Sequence, residues 1–130
     1  MAPTTIAGQV TTTTPYGRDV ALTGTELDVS KLLAGIAGAA YVKRASLVVT
    51  ELDSQRGKVY TIKNLLDAKK SVENAFKVQA LGGFAFVEFL STCSINWKMQ
   101  VLEAKRFVQD HMIKRYPLGV YKDSFRVEEK

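Results

Sequence analysis

The chain has one cysteine, one histidine, one tryptophan and three prolines in 130 residues. A single thiol excludes an internal disulfide and points to a reducing compartment. No second cysteine or histidine stands at metal-ligand spacing, which argues against a zinc site built by this chain. No apolar run reaches the roughly 18 residues that a membrane span requires. The opening residues MAPTTIAGQVTTTT have neither the basic region nor the apolar core of a signal peptide. Together these absences lead us to expect a soluble, cytoplasmic chain with no membrane partner.

What is present is ordinary for one small domain: 46% hydrophobic and 24% charged residues. Eighteen basic residues against thirteen acidic give a net charge of +5. That mild excess falls mainly on the polar faces of expected helices, without interleaved aromatics. We therefore expect no nucleic-acid partner.

Residues 1–27 are punctuated by Thr, Pro and Gly and read as a loop-rich lead. Asp28 suits the N-cap of a short helix over Val29–Ile36, with Gly38 as its stop. Residues 40–49 read as a strand, and the polar stretch 51–57 as a turn or surface excursion. Asn64 is placed as the cap of a helix on which Leu65, Ala68, Val72, Ala75 and Phe76 recur at helical spacing. Gly82-Gly83 ends it. Phe84–Leu90 is a near-continuous apolar run, which suits a strand buried on both faces. Val101, Ala104, Phe107, Val108, Met112 and Ile113 then outline a last helix, stopped by Pro117. Helices alternating with strands imply an α/β fold with a mostly parallel sheet flanked by helices. Two clear strands cannot bury both faces alone, so the sheet is expected to be incomplete or to need a partner.

Two features invite a chemical reading. Gly35-Ile36-Ala37-Gly38 is glycine-rich, but it closes a helix and enters a strand. A phosphate-binding loop has the reverse context, so a helix stop is the better reading. Cys93 lies in the polar loop after the 84–90 strand, where open α/β sheets place their ligands. Three roles remain open for it. It is a small buried hydrophobe by default, a nucleophile with His111 as its only imidazole base, or one thiolate of a metal cluster. His111 itself reads as a packing or surface residue.

The segment GFAFVEFLSTCSINW (83–97) resembles the GFSFVEVLSxCPTNW segment of the thiamine-diphosphate-binding beta subunits of 2-oxoacid:ferredoxin oxidoreductases. Three other stretches agree in the same order. They are MAPTT at 1–5 with GQVTTT at 8–13, PYGRD at 15–19, and Met112-Ile113 with YPLGVYKD at 116–123. The resemblance implies the C-terminal half of such a subunit: part of a thiamine-diphosphate-binding domain, with residues 28–123 as its α/β portion and 124–130 as a charged tail. The family's diphosphate and Mg²⁺ motif and its CPGC pair have no counterpart here, so the chain alone is expected to be inactive and to bind neither cofactor. The family decarboxylates a 2-oxoacid to an acyl-CoA and passes electrons through iron–sulfur clusters to ferredoxin. The implied partners are thus the alpha and other subunits, ferredoxin and CoA, in an oligomer. Carried over by position, Cys93 would be a [4Fe–4S] ligand in the intact protein, and Pro3, Thr4 and Thr5 would line the thiamine diphosphate site. Where the family has CPTNWGM, this chain has Cys-Ser-Ile-Asn-Trp-Lys-Met, with Lys98 in place of glycine. The cap serine and proline before the last helix are also absent, and residues 47–62 look like an insertion. The alternative is a non-catalytic α/β interaction or dimerisation module.

Overall fold

The computed structural model describes residues 28–48, 50–54, 57–61, 63–92 and 97–125. In chain order the elements are α1 (Val29–Ala34), β1 (Ala39–Ser46), β2 (Thr50–Ser54), β3 (Gly57–Thr61), α2 (Lys63–Ala80), β4 (Phe84–Leu90), α3 (Val101–Phe107), a π-helical turn (Val108–Met112), α4 (Ile113–Arg115) and β5 (Gly119–Asp123). The class is α/β, as expected. The sheet is mixed: its order is β4-β1-β5, with β1 parallel to β4 and antiparallel to β5.

β1 runs through the centre and all eight of its residues are buried. α2 packs on β1 and β4, where Ala40, Tyr41 and Val78 form a small core with Ala75, Ala85 and Val87 beside it. A second core gathers Val48, Leu90, Val108, Met112 and Tyr116, joining the strand ends to the C-terminal helical segment. α1 contacts all three strands of the sheet.

Local sequence explains most boundaries. The Asp28 carboxylate accepts a hydrogen bond from the Lys31 amide at 3.2 Å and so caps α1 as expected. The helix ends at Ala34, with Gly35 as its C-cap, two residues short of the expected end. α2 closes through Gly82, whose φ of +83° is a left-handed conformation that glycine adopts without a Cβ clash. The Gly83 amide then bonds the Val78 carbonyl at 3.0 Å. Gly83 itself allows no side chain. A Cβ there would lie 2.7–2.9 Å from Phe125, Val78 and Ala40.

Three sequence expectations need correction. The polar stretch 51–57 is not simply a turn: it holds most of β2 and the first residue of β3, an antiparallel pair running from Thr50↔Thr61 to Ser54↔Gly57. Polarity misled because a strand is fixed by its pairing partner as well as by apolar residues of its own. Asn64 does not cap α2. The helix starts at Lys63, and the Asn64 amide donates to the Val48 carbonyl at 2.9 Å, tying the helix to the end of β1. Finally, β4 is not buried on both faces: only Leu90 is buried, and Phe84 is exposed.

Candidate functional site

The parallel pairing of β1 and β4 brings their C-terminal ends together, with Ser46 beside Leu90. The junction is stitched beyond the strands. The Leu47 amide bonds the Leu90 carbonyl at 3.0 Å, and the Val48 amide bonds the Ser46 hydroxyl at 3.1 Å. The chain leaves β4 here through Ser91 and Thr92 toward Cys93. Cys93 lies outside the described residues, as do Pro3, Thr4 and Thr5. Among the described residues that follow, Trp97 has its ring centroid 5.1 Å from that of Phe107 at 59°. Phe107 in turn stacks on the His111 imidazole, 5.1 Å away at 27°. His111 is exposed and joins no metal-ligating group among the described residues. An aromatic stack thus borders the strand ends.

Lys98 follows Trp97 with a φ of +53°. A side chain in this left-handed region costs on the order of 1 kcal/mol relative to glycine. The position where the resembling family has glycine is therefore one where the backbone still adopts a glycine-like turn. The loss of a cap before the last helix is also visible, because Gln100 stands at the N-cap of α3 without a side-chain hydrogen bond.

Beneath the strand ends lies an ionic cluster that sequence reasoning missed. Arg44, on β1, is fully buried. Its Nε donates to Glu88 Oε2 at 2.6 Å, one terminal nitrogen donates to the Tyr121 hydroxyl at 2.7 Å, and the other donates to the Asp28 carboxylate. The Ser30 hydroxyl donates to the same Glu88 oxygen at 2.6 Å. The guanidinium also lies 5.3 Å from the Tyr116 ring centroid and 5.0 Å from that of Tyr121. Burial disfavours the charged guanidinium, but the hydrogen bonds from Arg44 to Asp28 and Glu88 outweigh that, so its pKa is raised. Burial likewise pushes Asp28 upward, yet the Arg44 hydrogen bond and the Lys31 amide prevail and hold its carboxyl below the usual range. Burial raises the Tyr121 phenol against the pull of Arg44. Nearby, Lys43 on β1 bonds Asp67 on α2 at 2.5 Å.

One signal could have revealed this cluster. Each apolar strand carries a charge of opposite sign near its middle, Arg44 in one and Glu88 in the other, and these are register partners. A buried charge demands a partner, so two such interruptions imply each other. The cluster joins α1, β1, β4 and β5. Arg44 faces two carboxylates, and the Lys31 ammonium lies 3.8 Å from that of Asp28; with its charged groups paired in this way, the cluster acts as a strut.

No family model and no solved structure matches the chain. Over 124 residues it is 34% identical to the ketoisovalerate oxidoreductase subunit VorA of Methanothermobacter marburgensis, and equally to that of Methanothermobacter thermautotrophicus. The match covers 95% of this chain. The chain is similar to one segment of an oxidoreductase subunit. It spans only about a quarter of the length of those relatives, 23% and 24%. Those relatives are named as subunits of the kind of oxidoreductase that the sequence resemblance indicated.

The cofactors of that resemblance can be tested against the residues present. A [4Fe–4S] cluster takes four thiolates, and the whole chain has one cysteine. The chain also has no Gly-Asp-Gly triplet to serve as the diphosphate motif. Its own residues therefore fit neither group. No helix of the described residues is long and apolar enough to cross a membrane.

Proposed function

We propose that the chain forms the C-terminal part of the thiamine-diphosphate-binding beta subunit of a 2-oxoacid:ferredoxin oxidoreductase, inactive alone. The similarity to VorA along 95% of the chain carries the reading. The fold supports it, because β1 and β4 end side by side where the Cys93 loop begins, the usual ligand-bearing edge of an open α/β sheet. In the assembled enzyme Cys93 would supply one thiolate of a cluster. Pro3, Thr4 and Thr5 would border the thiamine diphosphate, whose bound form supplies the carbanion-stabilising chemistry. The remaining subunits, ferredoxin and CoA would be the partners. Within this scheme the chain's own work is mechanical: Arg44, Asp28 and Glu88 hold the strands that present the loop.

The test is a chimera in which this chain replaces the matching segment of the Methanothermobacter marburgensis subunit. We expect the chimera, assembled with its partner subunits, to bind thiamine diphosphate with Mg²⁺ and to reduce ferredoxin with a 2-oxoacid and CoA. The chain alone should show no binding by calorimetry. Micromolar binding by the chain alone, or a folded chimera that binds no thiamine diphosphate, would overturn the reading.

A further inference from the structure

β4 ends the sheet among the described residues, since its only strand neighbour there is β1. Its sequence FAFVEFL is nearly all apolar, yet only Leu90 is buried. Beside this edge a groove of about 400 Å³ runs between α2 and β4, lined by Val72, Ala75, Phe76, Gln79, Phe84 and Val87. Phe76 is 66% exposed and Phe84 is 53% exposed. An open strand edge next to an apolar groove is a template for a further strand and the helix that would cover it.

A second copy of this chain is a poor occupant. Pairing two β4 edges about a two-fold axis normal to the sheet would set the two α2 helices side by side over one face. α2 carries four lysines (Lys63, Lys69, Lys70, Lys77) against two acids (Asp67, Glu73), so each copy would bring a helix of net charge +2. Like-charged helices in contact oppose association. The polypeptide corresponding to the other three quarters of the relatives' length offers an alternative source.

We propose that the β4 edge and the α2–β4 groove receive a strand-and-helix unit from that remaining polypeptide, with apolar residues on Phe76 and Phe84 and an acidic flank toward the α2 lysines. This rests on the proposed subunit reading, but it assigns a surface and a partner chemistry that the reading does not supply.

Hydrogen exchange read residue by residue, on the free chain and on the chimera described above, tests the proposal. In the free chain the alternate amides of Phe84–Leu90 that turn away from β1 should exchange rapidly, and light scattering should give a monomer. In the chimera the same amides should slow by about 100-fold or more. Phe76→Lys should return them to faster exchange by at least about tenfold in the chimera, while leaving the free chain's exchange unchanged. Equal exchange in both, or a free-chain dimer that protects β4, would overturn the docking. Because the readout is amide protection, a chimera that protects β4 but binds no thiamine diphosphate would sink the functional reading and leave the docking standing. A chimera with unprotected β4 and full activity would do the opposite.

Discussion

β1 and β4 lie side by side and parallel, in continuous register over the six pairs from Tyr41↔Ala85 to Ser46↔Leu90, yet they live in different surroundings. β1 contains Lys43 and Arg44 and is buried along its whole length. β4 has one charged residue in seven, and only its last residue is buried. The more apolar strand is the less covered one. Burial here follows neighbours, not composition: β1 has a strand on each edge and helices on both faces, whereas β4 lacks a described neighbour on one edge. A strand written for burial but left half open marks a surface meant to be covered.

The comparison can be broken at β1 first. Arg44→Met should strand the Asp28 and Glu88 carboxylates and cost about 3–5 kcal/mol, measured by urea unfolding. A loss below about 1 kcal/mol would mean that the buried charges do not hold the strands together. Acid should expose the same dependence more gently. Asp28 has its folded pKa lowered by Arg44 and the Lys31 amide despite burial. Its contribution is therefore fully present above its unfolded pKa of about 3.9 and is lost as pH falls through the lower folded value. Stability should fall below about pH 4, and Asp28→Asn should flatten that fall. Unfolding curves of equal slope in the two proteins would remove Asp28 from the account. At β4 the effect should be smallest. Phe84→Thr should change the free chain by no more than about 0.5 kcal/mol, as for a surface site. A loss above about 1.5 kcal/mol would show β4 to be covered already, and the contrast with β1 would vanish.

Periodicity and caps made the α/β class, α2, β4 and the Asp28 cap legible in the sequence, because each rests on residues close together in the chain. What stayed hidden depends on distant pairings. β5 joins β1 from 77 residues away through Arg44 and Tyr121. Its antiparallel place beside β1 could not be read from residues close to it in the chain. Asn64 had the chemistry of a cap but lies inside α2, which starts at Lys63, and its amide ties the helix to the Val48 carbonyl. Arg44 stood unremarked inside the expected strand because its two carboxylates lie 16 and 44 residues off. The candidate site was legible only in part: the strand end leading to Cys93 was placed correctly, while the ionic strut beneath it was not foreseen.

The π-helical turn at Val108–Met112 sets the phase of everything after it. Each residue of an α-helix advances about 100° around the axis, and a π turn absorbs extra chain within one turn. A regular helix over the same residues would carry Tyr116 around the axis and away from the Arg44 guanidinium, 5.3 Å from its ring centroid. The turn acts as an angular offset between two clients. Before it, α3 carries Phe107 against Trp97; after it, α4 leads to Tyr116 against the strut. A one-residue deletion there would detune both ends of the helix without touching either.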